Sequence, residues 1–446
     1  MSARFDTILK GGTIVNHDGV HQRDVGLAEG RIAALGTLDP AAAGEVIDCT
    51  GLHVLPGVID PHVHLREPGA EHKENLASGS LSAVMGGVTA FFEMPNTKPE
   101  TTTEEALADK VARATASAYC DFAFYVGATR ENTDELGRLE RLPGCCGVKV
   151  FMGASTGDLL IEDDAGVEAV LRTTARRVSF HSEDEYRLNA RKSLQRPGDP
   201  SSHSDWRDVE AAVLGTERLV RLARMTGKRI HVLHVTTAPE MLFLSQHRDV
   251  ATIEVTPQHL TLTLPDAYEV LGTKAQMNPP LRDRTQMEGL WLGLSQGAAD
   301  TLGSDHAPHT LEEKAKSYPS SPSGMPGVQT LVPVMLDHVN AGRLTLERFV
   351  DLTAHGPQRV YGIANKGRLA LGYDADITVV DLKRRRTITD DWIQSRCGWT
   401  PFVGRTVTGW PVGTIIRGQR VMWEGELLAA GGLGRPVRFQ EALQPS

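Results

Sequence analysis

Short apolar runs alternate with amphipathic stretches through the middle of the chain. The runs cover 54–60, 89–93, 121–126, 147–152, 178–180, 230–233, 252–255 and 300–302. Between them lie stretches with helical spacing, among them 103–117, 164–176 and 206–226. Strands buried on both faces read as nearly continuous apolar runs, whereas an amphipathic helix repeats its apolar positions every three or four residues. The pattern predicts eight βα units around a parallel sheet. Eight such units fit an α/β fold of the (β/α)₈ TIM-like barrel type; an open, doubly wound sheet is the alternative that the pattern alone leaves. The two ends read differently. Residues 7–10, 13–15 and 30–36, and later 376–381 and 413–421, form short strand-like segments between glycines, as antiparallel strands do. The expected organisation is the first part of a small β-sandwich domain (1–53), a barrel (54–364), and the second part of the sandwich with a tail (365–446).

Composition narrows the class. Of 446 residues, 40% are hydrophobic and 23% charged, which is ordinary for a globular protein and unlike a disordered one. Lys plus Arg number 47 against 56 Asp plus Glu, a formal charge of −9. That argues against a general nucleic-acid-binding surface while leaving room for a local basic pocket. No apolar run approaches the roughly 18 residues of a membrane span. The start, Met1-Ser2-Ala3-Arg4-Phe5-Asp6, has no signal-peptide core. The five cysteines are odd in number and scattered, which fits a reducing compartment, so a cytoplasmic protein is expected. Cys145 and Cys146 are adjacent, and on a strand they point to opposite faces, which reads as buried or loop thiols rather than a metal pair.

Histidine changes the picture. There are 16, and several stand with other polar residues at the C-terminal ends of the runs: His62, His64, Asn96, Lys149, His181, His234, His259 and Asp305. In barrels that end carries the active site. Within Asp60-Pro61-His62-Val63-His64, strand alternation points both imidazoles the same way, where they can bind one divalent, zinc-like ion. His181 and His234 end the fifth and sixth runs and match a second ligand pair. His231 has the opposite parity to His234 and reads as a packing or surface residue. Lys149 lies inside an apolar run, where a lysine is costly unless it is paired or modified. Two readings follow: a buried salt bridge, or a neutral amine that adds carbon dioxide. The resulting carbamate could bridge two metals about 3.5–4 Å apart. Asp305 could ligate metal and shuttle protons. Four histidines, one lysine and one aspartate suit two metals that share a bridging hydroxide, and hence hydrolysis of an amide-like bond or its reversal.

Four motifs, DPHVHLREPG, EMPNTKP, VKVFMGASTG and SDHAPH, resemble the amidohydrolase superfamily, and within it the bacterial dihydroorotases of the lysine-bearing branch. The resemblance extends to the split terminal β domain and to CGWTPFVG near the end. It implies reversible cyclisation of N-carbamoyl-L-aspartate to L-dihydroorotate in pyrimidine synthesis. Two Zn²⁺ would be held by His62, His64, carboxylated Lys149, His181, His234 and Asp305, with Asp305 as the catalytic proton carrier. Arg66 would grip the substrate carboxylate with a planar fork. By resemblance Asn96 and His309 help hold that carboxylate, and Asn278 reads the ring's polar edge. The expected partner is the small-molecule substrate, with no nucleic acid or membrane. A homodimer or higher homo-oligomer, and an aspartate transcarbamoylase associated with it, are further expectations. Two departures stand out. The seventh run ends Pro257-Gln258-His259 where similar dihydroorotases often carry two adjacent histidines, so His259 has no assigned role. Some dihydroorotases have an aspartate in place of the bridging lysine, whereas hydantoinases and allantoinases share Lys149. That keeps those cyclic amidases, and dihydropyrimidinase, as alternatives. A metal-free scaffold would lack several of the six ligands that this chain retains. Residues 317–327, rich in Ser, Pro and Gly, read either as a mobile loop near the site or as an inert connection.

Overall fold

The computed structural model describes residues 4–155 and 159–440. Eight parallel strands form one sheet in strict chain order: β1 (Val58–Val63), β2 (Val88–Glu93), β3 (Asp121–Gly127), β4 (Cys145–Phe151), β5 (Val178–His181), β6 (Ile230–Val232), β7 (Ala251–Val255) and β8 (Thr301–Leu302). A parallel bridge between Val63 and His306 and the amide bond from His64 N to His306 O at 2.7 Å bring the last strand back to the first. The sheet is thus a nearly closed barrel, not an open doubly wound one.

Every residue of β2, β3 and β4 is buried, because helices cover one face and the barrel interior the other. Phe91, Phe122, Val148 and Phe180 pack outward on the helices. Ile59, Phe92, Tyr125 and Leu233 fill the interior. Cys145 and Cys146 follow this alternation, one in each shell, and all five thiols are buried and free.

The helices follow their local signals. Glu104–Ser117 starts where the Thr103 side chain accepts from Ala106 N, with Glu104 and Glu105 in the positive first turn. Asp164–Thr173 stops short of 176 because Thr174 turns extended and the Glu140 carboxylate accepts from the backbone N–H groups of Ala175 and Arg176. The stretch 206–226 is divided. Ser202–Trp206 ends at Arg207, and Val209–Thr226 begins afresh on the Asp208 cap.

Two further sheets come from the chain ends. A four-stranded sheet is built from N-terminal residues alone, and a seven-stranded sheet draws on both ends, with His53–Pro56 paired to Ile377–Thr387. They share a core that includes Leu9, Val25, Val54, Ile377 and Val412. The apolar run 54–60 therefore serves two structures, one strand on each side of Gly57. A Cβ at Gly57 would sit 2.3 Å from Thr89 Oγ1, so only glycine lets the chain pass from sandwich to barrel there. No helix among the described residues is long and apolar enough to cross a membrane.

Candidate active site

The C-terminal ends of the strands bring the four imidazoles into one row. Ring centroids lie 5.5 Å apart for His64 and His62, 5.3 Å for His62 and His234, and 4.7 Å for His234 and His181. Asp305 Oδ1 stands 3.2 Å from Nε2 of both His62 and His64, and the ligand atoms of these three residues all lie within 4.8 Å of one another.

Each ring is held so that one nitrogen lone pair faces the site. His62 Nδ1 donates to Glu254 Oε1 at 2.7 Å, and His62 Nε2 is buried with no hydrogen-bond partner. His64 Nδ1 donates to Asn96 Oδ1 at 2.8 Å, which turns its Nε2 toward Asp305. His181 Nε2 donates to Glu183 Oε2 at 2.7 Å, leaving His181 Nδ1 3.0 Å from His234 Nε2. Glu183 is itself paired with buried Arg207. Burial would raise its pKa, but the Arg207 charge and the His181 bond outweigh that and hold the carboxyl well below its usual range. Carboxylates behind histidines are how metal sites fix ring orientation and tautomer. His234 lies just past β6 with φ +36°, a conformation uncommon outside glycine, and its backbone N–H is held by Glu254 Oε1 at 3.2 Å.

Lys149 sits on β4 with 1% of its surface exposed. Among the described residues its Nζ has no hydrogen-bond partner, and it lies 4.6 Å above the Phe151 ring. No carboxylate forms an ion pair with it among the described residues. Burial lowers its pKa to about 7, against the pull of Asp305 and Glu254. The donor set therefore fits divalent metal: four imidazoles, one carboxylate, and a buried amine with nothing to bind among the described residues.

Beside this cluster a pocket is lined by Arg66, Phe151, Asn278, Ala307, Ser323 and Gly324, among others. Arg66 lies past the end of β1 at φ +65°, so a turn, not strand parity, aims its side chain. Arg66 Nε donates to Pro308 O at 3.1 Å and Nη2 approaches His309 Nε2 at 3.3 Å. No carboxylate pairs with this buried guanidinium among the described residues. His309 is kept neutral: burial first, then Arg66, depress its pKa to about 3. Its Nε2 donates to Ser323 O at 3.0 Å, and its Nδ1 accepts from Lys73 Nζ at 3.3 Å. Asn278 Oδ1 accepts from His203 Nε2 at 2.7 Å, which leaves the amide NH₂ for the pocket. In the Ser-Pro-Gly-rich segment, Lys314 Nζ pins the backbone by donating to Pro322 O at 2.8 Å and Gly324 O at 3.0 Å.

Two other histidines serve packing. His259 bonds to Thr256 Oγ1 at 2.8 Å and to Pro279 O at 3.0 Å. His231 is buried against Tyr361 and bonded to Thr252 and Thr301. Thr156 and Gly157, the end of VKVFMGASTG, lie outside the described residues. Sequence reasoning passed over Glu254, Glu183, Arg207 and Lys314. Glu254 lies inside the apolar run 252–255, and the signal that singled out Lys149 applies to it equally.

A barrel of this kind, with histidines, lysine and aspartate at its C-terminal rim, defines a metal-dependent cyclic amidohydrolase. The chain belongs to the amidohydrolase family, which matches residues 53–421. A dihydroorotase of Halobacterium salinarum is 40% identical, over 93% of this chain and 96% of that one. An allantoinase of Rubrobacter xylanophilus is 36% identical over 99% of both. An L-hydantoinase (dihydropyrimidinase) structure from Arthrobacter aurescens superposes with a TM-score of 0.93 at 31% identity, covering 97% of this chain and 99% of the other.

Proposed function

We propose that this amidohydrolase is a dihydroorotase, which reversibly closes N-carbamoyl-L-aspartate to L-dihydroorotate and water. The observation that carries the reading is Arg66, a buried guanidinium beside the imidazole row with no carboxylate of its own. Such a group calls for an anionic substrate. Dihydroorotate brings a carboxylate on its ring; allantoin, hydantoin and dihydrouracil bring none. The Halobacterium dihydroorotase relative supports the same choice, while the allantoinase and hydantoinase likenesses define the competing reading.

His62, His64, His181, His234, Asp305 and a carboxylated Lys149 would hold two zinc ions. Metal held there would supply Lewis acidity toward the ring carbonyl and would acidify water toward neutrality. The remaining work falls to the chain's own groups. Arg66 binds the ring carboxylate, with His309 at its edge and Asn96 on the His64 side. Asn278 offers its NH₂ to the ring's polar edge. Asp305 is the proton carrier, a buried carboxylate whose Oδ1 stands 3.2 Å from Nε2 of both His62 and His64. Its carboxylate accepts the proton of the attacking water and gives it to the ring nitrogen as the amide C–N bond breaks. In the biosynthetic direction Asp305 takes the ureido proton as that C–N bond forms and water leaves.

A substrate panel tests the reading. Dihydroorotate and carbamoyl aspartate should turn over well, and allantoin and hydantoin poorly; the reverse order would overturn it. Arg66→Ala should lose at least about tenfold in kcat/KM for dihydroorotate, since a charge-assisted pair contributes roughly 1.5–3 kcal/mol. The loss should be much smaller for 5,6-dihydrouracil, and metal content should stay unchanged. Equal losses on both compounds would make Arg66 a structural residue. Chelation should abolish turnover and added zinc should restore it; full activity in protein shown by elemental analysis to be metal-free would exclude the metal assignment.

A further inference from the structure

The opposite end of the barrel carries a second concave site. We propose that it binds an anion bearing two or three linked phosphate groups. A cavity of about 500 Å³ opens below the starts of β5 and β6, a size that takes small metabolites. Five cationic side chains line it: Arg176, Arg177, Lys228, Arg229 and Arg359. Among the described residues, no carboxylate lines it. Arg359 reaches Asp351 at 3.3 Å and Asp300 at 3.5 Å. The other four have no carboxylate within ion-pair distance among the described residues. Arg176 Nη2 and Arg177 Nε are buried without any hydrogen-bond partner among the described residues.

Several other arginines of this chain are answered by carboxylates: Arg207 by Glu183, Arg248 by Asp300, Arg417 by Asp121. On a molecule of net charge −9, an uncompensated group of one sign around a cavity is a local feature. Like charges gathered around a cavity repel one another and focus the field into it. Burial, then the neighbouring Arg229, hold the Arg177 pKa down to about 10 against the pull of Asp300. A polyphosphate removes that repulsion. Guanidinium forks take phosphate oxygens in pairs, and the number of cations suits a di- or triphosphate better than a singly charged carboxylate.

The site is distinct from the catalytic rim. Arg177 precedes β5 and His181 ends it; Arg229 precedes β6 and His234 follows it. The inference does not depend on which cyclic amide is the substrate.

The test is calorimetric titration of full-length, metal-loaded protein with inorganic triphosphate and, separately, with ATP. The comparison protein is the double variant Lys228→Gln/Arg229→Gln, whose changes lie in the loop before β6. Any metal stripping by the titrant is common to both proteins, so the difference between them reads the site. The wild type should bind about one equivalent, with an affinity that falls as salt rises. The double variant should bind at least tenfold more weakly. ATP tighter than triphosphate would assign a nucleotide as the ligand, and equal affinities would assign the phosphate chain alone. No binding by the wild type, or equal affinity in both proteins, would overturn the proposal.

Discussion

Replacing Lys149 by alanine is expected to lower kcat/KM by at least about a thousandfold, which corresponds to roughly 4 kcal/mol of transition-state stabilisation. The argument starts from a buried amine. Lys149 Nζ has no hydrogen-bond partner, and burial holds its pKa near 7. Close to neutrality a substantial fraction is the free amine. A free amine adds carbon dioxide: the N–C bond forms, one proton leaves, and the group becomes an anion with two oxygens. That anion would satisfy the orphaned position and would supply a ligand between the two halves of the imidazole row. Alanine removes it, so at least one metal should be lost with the activity. Short carboxylic acids such as acetate or propionate should restore part of the rate by occupying the vacated space. Lys149→Arg should be as inactive as alanine, because a guanidinium does not add carbon dioxide. Recovery of metal-stripped enzyme at fixed dissolved carbon dioxide should quicken as pH rises through about 7, where the neutral amine becomes the main form. An unmodified amine in a metal-loaded site, seen by ¹³C labelling with bicarbonate, would exclude the carbamate.

Asp305→Asn should lower kcat by about 10²–10⁴-fold, the usual range for a positioned proton carrier, and leave KM nearly unchanged. The carboxylate touches His62 and His64 rather than the Arg66 side of the pocket, so it contributes little to holding the substrate carboxylate. Set against the two imidazoles, it is placed to accept a proton. Asparagine keeps the size and can still face His64, but it cannot carry that proton. Steady-state kinetics with metal analysis on the same sample provides the check. A raised KM with unchanged kcat would reassign Asp305 to binding.

Much of the barrel could be read from the chain because its strands are dry on both faces. A parallel strand in that setting is a block of apolar residues, and the polar residue that ends it is conspicuous. His62, His64, Lys149, His181, His234 and Asp305 were found this way, and the structure places them at one rim. Boundaries were harder. The run 54–60 looks like one strand, and only the crowding of Gly57 against Thr89 shows that it is two. The break at Arg207 was invisible because it serves a contact with Glu183, 24 residues away. Arg66 lies past the end of β1, and a left-handed turn aims its side chain in a way that no strand pattern announces. The pairing of Glu254 with His62 escaped for a related reason, whereas Glu183 stands only two residues after His181. Glu254 meets His62 across 192 residues of sequence, and local spacing holds no trace of such a partner.

The seam where β8 returns to β1 has a consequence for how the protein is made. His64 N meets His306 O there, and Asp305 meets the two imidazoles that were synthesised more than 240 residues earlier. A ribosome-bound chain that has not yet released its eighth strand therefore owns the first two histidines without their aspartate. It can offer an ion only fragments of a site. Tight metal capture thus becomes a signal that translation has passed the seam and the ring has shut. A chain cut short before Gly303 would neither shut the ring nor retain the ion, and the cell would meet it as an open sheet edge, a form that aggregates or is degraded.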